Sequence, residues 1–162
     1  MRRLAVLAVL LAVLSGCTSA GRDYWQPTPE RAQSPDLARI YFYRPAAAFL
    51  LQAKPLVIVN DKRVGTLRNG ETFFRDARPG RYEIYLVGAE DDVVDLTLGP
   101  GDRAYVRAGI AWRMLGFRLV AQSASAREAE AAIAGLQRVT GLETDLRRAN
   151  PEPLDVEPRP DI

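Results

Sequence analysis

Between Ala38 and Ala121 the chain is cut into short alternating runs by turn residues. They recur at intervals of about 8–12 residues, a spacing that fits an antiparallel sandwich or barrel. Ala38–Arg44 is aromatic and alternating, and Pro45 ends it. Leu56–Asn60 and Arg63–Leu67 flank Asn60-Asp61-Lys62, a hairpin turn by composition. Asn69-Gly70 precedes a strand at Glu71–Ala77, and Pro79-Gly80 precedes another at Arg81–Val87, with Tyr82, Ile84 and Leu86 on one face. Gly88 to Asp92 reads as an acidic turn, and Val94, Leu96 and Leu98 mark the next inward face. Gly99-Pro100-Gly101-Asp102 separates that strand from Arg103–Ile110. A hydrophobic connector, Ala111 to Gly116, leads to a last strand at Phe117–Ala121. The expected fold is therefore mainly β, an antiparallel β-sandwich of about eight strands.

At Ser125 the period changes from two to 3.6. Ser125-Ala126-Arg127-Glu128 has the form of a capping box, and Ala129, Ile133 and Leu136 form one apolar stripe. This predicts one C-terminal helix over Ala126 to Leu136, packed on the sandwich through that stripe. Residues 139–162 read as a polar Pro-rich tail, unstructured from Ala149 onward, where Pro151, Pro153, Pro158 and Pro160 break any regular element.

The N-terminus has a different character. Arg2 and Arg3 precede an unbroken Leu/Ala/Val run from Leu4 to Leu14. That run is well short of the ~20 apolar residues a spanning helix needs and has the length of a signal-peptide core. It ends in Leu14-Ser15-Gly16-Cys17, which resembles the bacterial lipoprotein box. Small Ser15 and Gly16 give a peptidase access to the backbone, and the Cys17 thiol is the soft nucleophile that takes a diacylglycerol. The resemblance implies a signal peptide over 1–16, a lipidated Cys17 at the head of a flexible tether over 17–36, and a domain over 37–138. Thr18 follows the cysteine, with no Asp to suggest inner-membrane retention, so the expected location is the periplasmic face of the outer membrane. Tyr24-Trp25 is the apolar exception in the tether, suited to a lipid interface or a docking surface.

Composition removes several function classes. The chain has no histidine, which excludes His-based triads, His acid–base catalysis and most zinc sites. Cys17 is the single cysteine, so no internal disulfide is available and stability rests on a core that the 48% hydrophobic content can supply. Arg2 and Arg3 account for the whole net charge of +2, and a near-neutral mature chain argues against a nucleic-acid partner. Glu90, Asp91, Asp92 and Asp95 match no EF-hand spacing and read as a solvated turn. Lys62, Arg63, Arg68, Arg75, Arg78 and Arg81 are interleaved with Asp61, Glu71 and Asp76 and read as a mixed surface rather than a patch for anionic lipid or glycan. No cofactor or metal is expected.

Tyr41-Phe42-Tyr43-Arg44-Pro45, Val57-Ile58-Val59-Asn60-Asp61-Lys62 with Val64-Gly65, Phe73, and Pro79-Gly80-Arg81-Tyr82 together resemble an uncharacterised domain common in bacterial lipoproteins. The resemblance runs from about Ala38 to Leu136. The same pattern is similar to PEGA-type modules and to transthyretin-like or Ig-like sandwiches, with Asp61 where such hairpins usually place glycine. These are turn and core residues, so the resemblance implies location and architecture and no catalytic role.

The expected function is a lipid-anchored envelope protein with a non-catalytic binding module. Its partner would be an envelope protein, a cell-wall polymer or a lipid. The alternatives are a carboxylate-based envelope hydrolase and a passive structural lipoprotein. The candidate binding residues are Trp112, Arg113, Met114 and Leu115, large or donor-bearing side chains on a connector between strands. The competing expectation is that this connector folds over an open end of the sandwich and completes the core.

Overall fold

A computed structural model describes residues 30–114, 116–139, 141 and 152–155. The signal segment 1–16, Cys17, Tyr24-Trp25 and Leu115 lie outside the described residues, as does the side chain of Arg113.

The described residues form nine strands in two sheets and a single helix. The strands are β1 (Ala38–Tyr43), β2 (Leu56–Val59), β3 (Lys62–Thr66), β4 (Glu71–Ala77), β5 (Gly80–Leu86), β6 (Ala89–Leu98), β7 (Arg103–Arg113), β8 (Gly116–Ala124) and β9 (Gln137–Arg138); the helix is α1 (Ala126–Ile133). A five-stranded sheet has the order β8-β7-β1-β4-β9, and a four-stranded sheet has the order β3-β2-β5-β6.

The two sheets share one core. Ile40, Phe42, Phe73, Val106 and Ala108 contribute from the five-stranded sheet, and Val57, Val59, Tyr82, Ile84 and Leu86 from the four-stranded one. Strict alternation puts these side chains on the inner faces, where each large apolar group contributes roughly 1.5–3 kcal/mol. Phe42 and Phe73 stack at 5.0 Å between ring centroids. Gly65 is required there, because a Cβ at this position would lie 2.4 Å from the Phe73 ring.

The β2–β3 hairpin turns through Asn60 and Asp61, whose φ angles are +46° and +60°. Two successive left-handed residues match the twist of a two-residue hairpin. Asp61 thus adopts the conformation that glycine usually supplies, and Asn60 Oδ1 accepts a hydrogen bond from Glu83 N at 2.9 Å.

Four expectations are corrected. The five-stranded sheet is mixed: β1 runs parallel to β7, and β4 parallel to β9. The turn before β7 delivers that strand beside the start of β1, with Gly101 N donating to Leu37 O at 3.2 Å and Arg39 N to Asp102 O at 2.8 Å. Both strands therefore leave the same end in the same direction. Second, Glu90, Asp91 and Asp92 lie on β6, because Gly88 at φ +89° closes the β5–β6 turn before them. Third, α1 ends at Ile133 rather than Leu136. The chain there turns to pair β9 with the edge of β4, Gln137 N donating to Gly70 O at 2.9 Å. Fourth, Leu154, in the stretch expected to be unstructured, forms a parallel bridge with Ala77 and packs on the core.

The helix start is as expected. Ser125 is extended, and its side chain accepts from Glu128 N at 3.4 Å. The expected stripe is also the packed one: Ala129 is fully buried, and Ile133 and Leu136 lie against Tyr41, Tyr43 and Tyr105 on the outer face of the five-stranded sheet. This leaves β1 buried on both sides along its whole length.

The last part of the expected tether is docked rather than free. Arg39 is 1% exposed and donates to Asp76 through Nε at 2.6 Å and Nη2 at 3.2 Å. Arg31 donates to Oδ2 of the same carboxylate, the oxygen that Arg39 Nη2 also reaches, and its carbonyl accepts from Arg39 Nη1 at 2.6 Å. Tyr41 donates its hydroxyl to Glu30. Residues 30–31 are thereby clasped to β1 and β4.

Candidate binding surface at the end of β7 and β8

β7 outruns its neighbour β1. Their pairing ends at Tyr43 opposite Arg107, while β7 continues to Arg113 paired only with β8. The expected connector over 111–116 is thus a hairpin end: residues 111–113 complete β7 and Gly116 begins β8. Trp112 faces Phe117 in the register. Alternation along β7 continues past the end of β1, so the next apolar side chains meet no core.

The loop from Arg44 to Pro55 occupies the space beyond β1. Phe49 from this loop stacks on Phe117 at 4.3 Å, and Trp112 meets the same ring edge-on at 4.9 Å. Trp112 is 69% exposed and Met114 94%, with Phe49 and Leu51 each more than half exposed. The expectation that the connector completes the core is therefore overturned: this is an apolar surface in solvent. Isolated exposed apolar residues are ordinary, whereas Phe49, Phe117 and Trp112 form one contiguous exposed set from two separate segments.

The loop is held rigidly. Arg44 is buried, and its guanidinium donates to the carbonyls of Ala53 and Leu50, the latter at 2.6 Å. Burial lowers the pKa of this guanidinium from its ordinary value, and the nearby Glu71 carboxylate works against that. Asn69 accepts from Ala47 N at 3.0 Å and donates to Ala47 O at 3.2 Å. Leu50 sits at φ +54°, a conformation that a leucine adopts only when its surroundings impose it. Ala53 N also donates to Leu50 O at 3.1 Å, closing the turn. Two polar anchors and one strained residue thus fix where Phe49 and Leu51 point.

Of the four candidate residues, Trp112 and Met114 belong to this surface. Phe49, Leu51 and Phe117 were missed as site residues. The apolar run Phe49-Leu50-Leu51 in a loop was the available signal, but its meeting with Phe117 depends on the parallel β1–β7 pairing.

A second concavity, a cleft of about 500 Å³, lies between α1, β9 and residue 30. Tyr41 and Tyr105 stack at its floor, 5.1 Å apart. Its polar groups are paired among themselves: Tyr105 donates to Glu130 at 2.8 Å, Tyr41 to Glu30, and Arg138 lies 3.1 Å from Glu30. Burial, and then the hydrogen bond to Glu130, push the Tyr105 hydroxyl up to about 12, so it remains a donor at neutral pH. Of the acids on β6, Asp92 pairs with Arg118 at 2.8 Å and Glu90 accepts from Gly88 N at 2.8 Å. Among the described residues no cluster of three acids, His or Cys has the geometry to hold a metal ion.

No curated protein and no solved structure matches this chain. Residues 34–114, half of its length, match a family described as protein of unknown function, DUF2846. The matched segment contains β1, the Arg44–Pro55 loop and β7 to its end. β1 to β7 and both anchors of the loop, Arg44 and Asn69, thus fall within the family's span, while β8 and β9 lie beyond it, and the chain belongs to the DUF2846 family of proteins of unknown function.

Proposed function

We propose that this chain is a lipid-anchored protein of the cell envelope, held by an acylated Cys17 at the periplasmic face of the outer membrane, with a non-catalytic binding module in the form of a transthyretin-like β-sandwich. The observation that carries the binding role is the exposed aromatic set Phe49, Phe117 and Trp112 on a rigid support. Preformed apolar surfaces lose little conformational freedom on binding, which favours recognition. The anchor rests on Leu14-Ser15-Gly16-Cys17 and the apolar run before it.

The test has two parts. A fatty-acid analogue fed to cells labels the wild-type protein, while Cys17→Ala takes no label and remains an uncleaved precursor; an unlabelled wild type refutes the anchor. A photo-crosslinking residue at position 112 or 51 captures one common species in living cells, and the same residue at Val93, exposed on β6, does not. Equal capture at all three positions refutes the binding surface.

A further inference from the structure

We propose that the aromatic end of the domain docks on the lipid bilayer that carries the anchor, with Phe49, Leu51, Trp112 and Met114 entering the headgroup–acyl boundary. This deepens the binding role and rests on the reading of Cys17 as lipidated.

Three independent features favour a bilayer. The exposed side chains come from two segments that meet at Phe117, and their types, Trp, Phe, Leu and Met, suit shallow insertion at a membrane interface. The charge pattern agrees. The loop over 44–55 and the hairpin end over 111–118 contain no Asp or Glu, and Lys54, Arg113 and Arg118 fall within them. Arg118 and Arg107 are paired with Asp92 and Glu128 from other segments, but exposed Lys54 stands beside the apolar loop. An exposed lysine in an apolar loop that itself carries no acid suits anionic headgroups.

The path of the chain is the third feature. Leu37 lies at the start of β1, where its carbonyl accepts from Gly101 N. Gln33 still touches the carbonyls of Leu37 and Asp102. Arg31 then reaches the level of Arg39 and Asp76, and Glu30 the level of Tyr41, meeting Arg138, which pairs opposite Thr72. Traced back from Leu37, the chain therefore runs along β1 from its start to the level of Tyr41, in the direction in which β7 continues to Trp112. Residues 17–29 span at most about 45 Å even when fully extended. A tether of that length leaves the apolar surface within reach of the bilayer that holds the anchor.

The test uses the full-length lipidated protein in vesicles of phosphatidylethanolamine and phosphatidylglycerol. Trp25→Phe leaves Trp112 as the sole tryptophan. On vesicles its emission shifts to the blue, and lipids brominated high on the acyl chain quench it more than lipids brominated near the chain end. Phe49→Ser with Leu51→Ser, both at exposed positions, reduces the quenching while the anchor keeps the protein on the vesicles. Trp112 emission that is unshifted and unquenched on floated vesicles overturns the proposal. So does protection of Trp112 only after an envelope protein fraction is added, which assigns the surface to a protein. Mass spectrometry of the Cys17 peptide separates the two failures: an unmodified Cys17 removes the anchor and this inference together, whereas an acylated Cys17 with unquenched Trp112 removes this inference alone.

Discussion

Replacing Asp76 by Asn keeps the volume of the side chain and removes its charge. Arg39 then loses the charge of its partner and one of the two oxygens it grips, which an amide NH2 replaces, while remaining 1% exposed. What is left around the guanidinium is one neutral amide oxygen, the Arg31 carbonyl at 2.6 Å, Glu30 at 3.4 Å and the Phe74 ring at 4.1 Å. Breaking a buried pair by removing one partner costs about 3–5 kcal/mol, and the residual contacts with Glu30 and Phe74 place Asp76→Asn near the lower end. Urea denaturation of the full chain should show the midpoint falling by roughly 1–3 M. Arg39→Met combined with Asp76→Leu should recover most of this loss, because a well-packed apolar pair avoids the desolvation that the charges suffer. In the Asp76→Asn protein Arg31 also loses its ionic partner, so limited proteolysis should cut near residues 30–34 well before the domain unfolds. A loss under about 1 kcal/mol, the scale of an exposed pair, would refute the argument that this charge is buried and uncompensated.

The same clasp sets an acid limit. Burial alone raises the Asp76 pKa, but hydrogen bonds and charge from Arg39 and Arg31 outweigh it, and the folded value lies below the ordinary 3.8. The stabilisation is therefore complete above the unfolded carboxylate range and is lost as pH falls through the lower folded value. Wild type should lose stability more steeply than the Arg39→Met, Asp76→Leu protein below about pH 4; parallel acid profiles would remove Asp76 from the cause. Trp112→Ala should cost about 1 kcal/mol or less, its edge contact with Phe117 being its main packing, against about 3–5 kcal/mol for a core tryptophan; a urea melt distinguishes the two. Gly65→Ala forces a methyl into the Phe73 ring and should cost roughly 1–3 kcal/mol, read in the same melt, with a neutral result showing that the ring has room to move.

Most of the frame was legible because its signals are local. Tyr82, Ile84 and Leu86 declare an inward face by alternation alone, Asn60-Asp61 declares a turn by its tolerance of left-handed backbone, and Ser125 with Glu128 declares a helix start. What stayed hidden depends on segments far apart in the chain. Nothing in Phe49 or Phe117 says that they meet; that follows from β1 lying beside β7. Asp76 read as a member of a mixed charged surface and Arg39 only as one position of a strand, because Glu30 and Arg31, which close over their pair, were assigned to the tether. Leu154 is one apolar residue among prolines, too weak a pattern to mark a bridge to Ala77.

The position of β1 has a further consequence, for how the chain reaches this structure. Ala38–Tyr43 lies between β4 and β7, and its parallel partner Arg103–Arg107 comes long after it in the chain. The loop that must close before this pairing forms is large, and such non-local strand contacts slow folding. A chain made from its N-terminus can pair one edge of β1 with β4 early, while the other edge stays open until Arg107 has been synthesised. During that interval a six-residue strand with three aromatic side chains and a free edge is available to other chains, the hazard that leads to strand-to-strand aggregation. β1 is thus the segment that a holding chaperone would have to cover, and a chain truncated before Arg103 would expose it permanently.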